Sequence, residues 1–404
     1  MTYEEAVKQL QTLAIKKGMD YRLERLNPVL KALGNPEQQL NKIIHVAGTN
    51  GKGSTIAFMQ AICREAGYLV GTFTSPHLVS YTERIALNGE PISKQDFCDL
   101  FDQCKDRMKN GLTEFEMLTM MALLFFYKKK PDICLVEVGL GGRLDATNII
   151  VPNCSVITQI DYDHQAILGD TLDKISQEKA GIIKQTIPIV TTDQQDIISL
   201  KVIEKKAVEK QAPIWMEAPV AVGSDWLLQG KHQGINASVA LRAIKIVFPN
   251  IDKGAVKRGL RKADSWGRFT TVKHNNQTII IDGAHNIQGL KSLRDNLKLY
   301  HNIKSISVIF GIHYSKPLDA IMPIIKTLGD RFYYCEFDTI LAHKIDSIRD
   351  SFQEALLSYE LGEDLPKTPV VVITGSLYLI GKFYNKNKGN LTNLAALKQV
   401  YTLQ

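Results

Sequence analysis

The stretch of this chain best equipped for chemistry is Gly48-Thr49-Asn50-Gly51-Lys52-Gly53-Ser54-Thr55, set between an apolar run and a helix-like one. Glycines let backbone approach a phosphate, successive N–H groups and a helix N-terminus supply positive potential, and Lys52 adds a mobile charge. The pattern is a phosphate cradle that departs from the G-x-x-x-x-G-K-[ST] form. It is shorter between glycines and has Gly53 where a hydroxyl is expected, so Ser54 or Thr55 must take that part. A glycine-rich turn with a surface lysine is the competing reading, and the strand and helix patterns on either side weigh against it.

Ser75, Glu137 and His164 each follow, or stand at, the carboxyl end of an expected strand, as the Gly48 loop does. In open α/β sheets those ends converge on the ligand crevice. A hydroxyl, a carboxylate and an imidazole beside phosphates suit Mg²⁺, although histidine is an uncommon ligand for so hard a cation. Taken singly, Ser75 before Pro76 reads as a turn residue and His164 as a core histidine; their shared location reverses that. Gly139-Leu140-Gly141-Gly142 lacks the third glycine of a dinucleotide fingerprint and Arg143-Leu144-Asp145 does not open a clear helix, which argues against NAD binding. Lys179 reads, on its own pattern, as an exposed helix lysine.

The elements that must position these residues follow from periodicity. Lys42 to Ala47 reads as a buried strand, residues 48 to 53 as a tight loop and Ser54 to Ala66 as a helix closed by Gly67. Further strands are expected at Tyr68–Phe73, Ile133–Val138, Cys154–Ile160 and Pro188–Thr192, with helices at Glu114–Lys129, Leu172–Ala180 and Ile197–Lys210. That alternation predicts an α/β domain with a mostly parallel sheet. Two helical runs between Tyr3 and Leu33 precede it, and a helix at Gly234–Phe248 follows. Strands then restart at Thr278–Ile281, Ser305–Phe310, Phe332–Glu336 and Val370–Thr374, with helices at Leu290–Leu299 and Leu318–Leu328. The expected domains are 1–265, carrying the cradle, and a smaller Rossmann-like one, 266–404, with the boundary near Trp266.

At 404 residues, 45% hydrophobic and 23% charged, the composition is that of a globular protein of two or three domains. Apolar runs such as Met117–Tyr127 fall short of the roughly 20 residues of a membrane helix. The acidic start, Met1-Thr2-Tyr3-Glu4-Glu5, is not that of a secretory signal, so a cytoplasmic location is expected. Six dispersed cysteines without a C-x-x-C pair indicate reduced, buried thiols. The 49 basic residues are interleaved with 42 acidic ones, a balance that suits small polyanions and gives no nucleic-acid patch.

Several longer strings, in order along nearly the whole chain, resemble the folylpolyglutamate synthase/dihydrofolate synthase family of the Mur ligase superfamily. They are His45 to Thr55, Ser75-Pro76-His77-Leu78, Val136 to Asn148, Glu178-Lys179-Ala180-Gly181-Ile182, Asp282-Gly283-Ala284-His285-Asn286 and Gly375-Ser376-Leu377-Tyr378, preceded by Leu23-Glu24-Arg25. The resemblance implies an ATP-dependent amide ligase that joins L-glutamate to dihydropteroate or to reduced folate. It implies phosphate contacts from residues 48–55, and Mg²⁺, two ions expected, on Ser54, Ser75, Glu137, His164 and a carbamylated Lys179. By the same analogy Asn236 contacts adenine, Arg268 reaches phosphate, Asp282 and His285 approach the nucleotide, and His285 and Ser376 contact the incoming amino acid. Lys52, Lys179, Arg268 and His285 are the expected catalytic set, in a monomer without nucleic-acid or membrane partners. Two departures stand out: Ser265-Trp266-Gly267-Arg268 replaces the family's usual Trp-Pro-Gly-Arg, and Gly311 to Pro317 lacks the aspartates often found there.

Two rival readings are a muramyl-peptide-type ligase, which carries an extra domain before its phosphate loop where only residues 1–47 stand here, and a nucleotide-binding switch without ligase activity. The string beginning at Asp282 counts against the switch, and nucleotide turnover with and without glutamate discriminates it.

Overall fold

Lys42–Ala47 is apolar at all but its first and fourth positions and buried at all but its first, the pattern of a parallel strand covered on both faces. In the computed structural model, which describes residues 1–17, 23–106, 112–300, 305–352 and 355–387, it is a central strand of an eight-stranded sheet. Contacts divide the described chain into two compact units, residues 1–227 with 233–264, and residues 228–232 with 265 onward.

The first unit runs α1 (Tyr3–Lys17), α2 (Leu26–Ala32), β1 (Lys42–Ala47), α3 (Lys52–Glu65), β2 (Val70–Phe73), β3 (Ile85–Leu87), β4 (Glu90–Pro91), α4 (Lys94–Lys105) and α5 (Glu114–Lys129). It continues through β5 (Ile133–Glu137), β6 (Cys154–Ile157), α6 (Gln165–Leu168), α7 (Leu172–Ala180), β7 (Ile189–Thr192), α8 (Ile197–Glu209), β8 (Ile214–Glu217), α9 (Lys231–Val247) and α10 (Lys253–Lys262). The strand order is β4-β3-β2-β5-β1-β6-β7-β8, parallel from β2 to β8, with β3 and β4 antiparallel at one end. Every residue of α5 from Glu116 to Phe126 is buried, as its nearly unbroken apolar run requires of a helix covered on all sides. Leu10, Leu26, Phe97, Phe101 and Phe126 share one core cluster, and Ala47, Ile157, Ile175 and Ile203 another.

The second unit contains β9 (Thr270–His274), β10 (Gln277–Ile281), α11 (Ile287–Tyr300), β11 (Ile306–Phe310), α12 (Leu318–Ile325), β12 (Arg331–Tyr334), α13 (Asp346–Phe352), β13 (Leu356–Ser358), β14 (Val370–Thr374) and α14 (Leu377–Asn387). Its six-stranded sheet, β13-β12-β11-β14-β10-β9, is parallel except for edge strand β9, a Rossmann-like arrangement with its own core around Ile280, Leu293, Val308, Phe310 and Val372.

Helices α5 and α7 and strand β14 have the expected limits, whereas α3 starts at Lys52 rather than Ser54. The reason is Gly51, whose φ of 92° lets the chain turn into the helix two residues earlier. Strand β6 stops at Ile157 rather than Ile160: its pairing with β7 ends at Val156 and its pairing with β1 at Ile157. Strands β3, β4, β8, β9 and β13 and helices α4, α6, α13 and α14 were not anticipated, and residues 18–22 of the expected N-terminal helical stretch lie outside the described residues. The six cysteines are free and buried. Among the described residues no helix is long and apolar enough to cross a membrane.

Candidate active site

The loop between β1 and α3 turns because Gly48 and Gly51 take φ of 144° and 92°. At Gly48 space is also closed: a Cβ there would lie 1.9 Å from Thr158 Oγ1. The amides of Thr49 and Asn50 both donate to the Gln159 carbonyl, at 3.0 and 3.2 Å, and Thr49 Oγ1 donates to the Asp161 carbonyl at 3.0 Å. The first half of the loop is thus anchored to the chain beyond β6, and Lys52 to Thr55 form the start of α3, where helix-terminal N–H groups favour an anion. Asn236 Oδ1 lies against Gly51, and Asn236 Nδ2 donates to Gln233 Oε1 at 2.9 Å. Gln233 Nε2 in turn donates to Ser54 Oγ at 3.4 Å, so α9 touches the loop at two of the expected positions.

Two candidates, Lys52 and Lys179, meet at the Gly48 carbonyl, and Glu137 and Ser75 are linked to them through Lys52. Lys52 Nζ donates to that carbonyl at 3.2 Å and stands 3.9 Å from Glu137 Oε1. Glu137, buried at the end of β5, accepts the Ser75 amide on Oε2 at 3.1 Å. Lys179, only 5% exposed, donates from Nζ to the same Gly48 carbonyl at 3.0 Å. It is therefore no surface lysine. Helix α7 comes close because Gly142 has no side chain: a Cβ there would lie 2.7 Å from the Glu178 carbonyl. Burial, reinforced by the charge of Lys52, pushes the Lys179 amine down to about 7, against the opposing pull of Asp163 and Asp145. His164 sits at a left-handed turn (φ 50°) ahead of α6, exposed, with Nε2 3.9 Å from Asp163 Oδ1.

Sequence reasoning did not find the buried support beneath this group. Asp145 accepts the Leu140 and Thr147 amides, each at 2.9 Å, and the Thr147 hydroxyl. That hydroxyl also meets His45 Nε2 at 2.8 Å. Because Thr147 Oγ1 gives its proton to Asp145, His45 must donate from Nε2, and its burial drives its pKa down to about 3. Asp145 and His45 lie inside strings quoted for the resemblance and Gln233 lies three residues before Asn236; Gln159 gave no signal, being a polar residue of undistinguished spacing.

In the second unit, Asp282 follows β10 and accepts the Phe269 and Ala284 amides, each at 2.8 Å. Burial raises its carboxyl to about 6, while Arg268 and those two bonds oppose the rise. His285 Nδ1 contacts the Gly283 carbonyl at 2.7 Å, which assigns the ring proton to Nδ1. Ser376, buried, precedes α14 and accepts the Tyr378 amide at 3.2 Å.

For Mg²⁺ the donor set is chemically apt: hydroxyls of Ser54 and Ser75 and a buried carboxylate are hard oxygens, and Thr55 Oγ1, also buried, has no hydrogen-bond partner among the described residues. No cluster of three or more His, Cys, Asp or Glu side chains able to hold a metal occurs among the described residues. Glu137 and His164 supply only two of that kind, so hydroxyls, phosphate and water must complete a magnesium shell.

A phosphate loop entering a parallel sheet, with lysines and a carboxylate gathered at its first glycine, defines a nucleotide-dependent ligase of the Mur type, and residues 46–216 match the Mur ligase middle domain. A Bacillus subtilis dihydrofolate synthase/folylpolyglutamate synthase is 35% identical over 93% of this chain and 96% of its own. The Thermotoga maritima folylpolyglutamate synthase structure superposes with a TM-score of 0.83 at 31% identity, covering 96% of this chain and 98% of that one. Escherichia coli FolC, solved with DHPP and ADP, gives 0.85 at 25% identity over 98% of each. The chain belongs to the folylpolyglutamate synthase/dihydrofolate synthase family of ATP-dependent ligases.

Proposed function

We propose that this chain joins L-glutamate to dihydropteroate and to the glutamyl tail of reduced folate. The acceptor's carboxylate attacks the γ-phosphorus of ATP, ADP leaves, and an acyl phosphate forms. The glutamate amine then attacks the activated carbonyl, and the tetrahedral intermediate collapses with release of phosphate. The observation that carries this reading is the meeting of Lys52, Lys179 and Glu137 at the Gly48 loop, in a chain that aligns with the B. subtilis enzyme over 93% of its length.

Negative charge builds on the phosphoryl oxygens during the first step, and preorganised positive charge is the main catalytic need. Lys52 meets it by exchanging the Gly48 carbonyl for phosphate. Ser54, Ser75, Glu137, His164 and Lys179 would hold Mg²⁺, expected as two ions, which supplies further positive charge to those oxygens. A Lys179 amine lowered to about 7 is substantially unprotonated at neutral pH and can add CO₂, losing one proton to give a carbamate. Conversion of a cation into an anionic oxygen donor removes its repulsion with Lys52. Residues 48–55, Asn236, Arg268 and Asp282 are assigned to ATP, and His285 and Ser376 to the incoming glutamate. The ligase domain is taken as residues 1–265 and the Rossmann-like domain as 266–404, in a cytoplasmic monomer.

ADP release measured over a panel of pteroate and folate acceptors at saturating glutamate and Mg²⁺ tests the proposal. Turnover with both dihydropteroate and a reduced folate is expected. Turnover with one alone reduces the protein to a monofunctional ligase, and turnover with neither overturns the reading.

A further inference from the structure

We infer that Gln195, outside every motif discussed above, is a positioning residue for the nucleotide: its side-chain amide stands in for a missing strand residue and holds the strut that carries the phosphate loop. Pairing between β6 and β7 reaches only Val156 and Val190. Beyond it the chain from Thr158 to Asp161 still runs alongside the loop, and its outer edge would lack partners. Gln195, buried between β7 and α8, supplies them. Its Oε1 accepts the Ile160 amide at 2.9 Å and its Nε2 donates to the Thr158 carbonyl at 2.8 Å, one donor and one acceptor used as a β-strand peptide uses them. The same Nε2 donates to Thr191 Oγ1 at 3.0 Å, and that hydroxyl donates to the Ile157 carbonyl at 2.8 Å, which fixes the amide's orientation.

What Gln195 holds on one side is what the loop leans on from the other. Thr158 limits the space at Gly48, the Gln159 carbonyl takes the Thr49 and Asn50 amides, and the Asp161 amide and carbonyl clip the Thr49 hydroxyl. Residues 158–161 are therefore a strut with the phosphate loop on one edge and Gln195 on the other. If the strut moves, Gly48 and the start of α3 move with it, so the cost falls on phosphate binding and not on the acceptor or glutamate. The inference rests on residues 48–55 being the ATP site.

Binding of AMPPCP with Mg²⁺, measured by calorimetry on the full chain, tests it together with KM for each substrate. Gln195→Glu keeps the shape and the acceptor for Ile160 but loses the donor to Thr158 and Thr191. It should weaken AMPPCP about tenfold and raise KM for ATP equally, with KM for the acceptor and for glutamate within about twofold. A purely structural role would lower the active fraction and leave every KM unchanged; that outcome, or unchanged AMPPCP affinity, overturns the inference. Thr191→Val, which removes one of the three Gln195 bonds together with the hydroxyl's own bond to the Ile157 carbonyl, should give about a threefold loss and decides the matter should Gln195→Glu fail to fold. Lys52→Ala serves as the separate check on the loop: unchanged AMPPCP binding there overturns the site assignment, whereas weakened binding there with unaffected Gln195 and Thr191 variants overturns the strut alone.

Discussion

Lys52 stands at the first turn of α3 and reaches carbonyls of its own loop, so Lys52→Ala should leave folding intact while turnover falls about a hundred- to a thousandfold. Turnover close to wild type, with unchanged circular dichroism, would remove the loop from catalysis. Lys179→Ala should lose most activity and regain part of it with added formate or acetate, which can occupy the carbamate's place. A ¹³C-bicarbonate spectrum showing no carbamate in active, nucleotide-bound protein contradicts that role. His45 has a folded pKa near 3, below its ordinary 6.5, so its contribution to stability is present above pH 6.5 and is lost as pH falls towards 3. Urea unfolding should show wild type losing up to about 1.4 kcal/mol per pH unit more than His45→Gln across that window, and parallel curves for the two would refute it. Residue type and spacing made the Gly48 loop legible, because a cradle is a local pattern. Lys179 was not legible from its own surroundings: its burial depends on Gly142 and on a carbonyl 131 positions away.

Helix α5 is set by its first turn. Glu116 Oε2 accepts the Thr113 amide at 2.6 Å, Thr113 Oγ1 accepts the Glu116 amide at 3.3 Å, and Arg25 pairs with both Glu116 oxygens, so a capping box also tethers the segment before α2. Glu116→Ala removes the carboxylate that pairs with Arg25, 15% exposed, together with its share of the capping box, and should cost about 3 kcal/mol in chemical denaturation. Thr113→Ala should cost about 1 kcal/mol, and equal losses would mean that the ion pair contributes nothing beyond the cap. Such long, strongly apolar or well-capped elements were readable: α5, α7 and β14 end where their patterns end. The strands that escaped notice are short or at edges. β3 and β4 have three and two residues, too few for a period to register, and β8 exposes Trp215 and Met216 at the sheet's rim. Helix α4 was missed despite a usable signal, the Ser93 cap followed by Phe97, Leu100, Phe101 and Cys104 on one face.

At the scale of the molecule, a net charge of +7 favours long-range attraction of polyanions. Raising ionic strength from about 0.01 to about 0.15 M shortens the screening length from about 30 to about 8 Å. KM should accordingly rise severalfold more for a folate carrying several glutamates than for dihydropteroate, and parallel rises would place the selectivity in local contacts instead. The order of strands has a further bearing, on synthesis at the ribosome. Strands β1 and β2 lie on either side of β5 and do not touch each other, so neither has its inner neighbour until Ile133–Glu137 has left the exit tunnel. At about 5–20 residues per second, the apolar segment Lys42–Ala47 waits roughly 4–20 s as a nascent chain before it can pair. The strand that later carries the phosphate loop is thus, during translation, an apolar segment whose sheet partner has not yet been made.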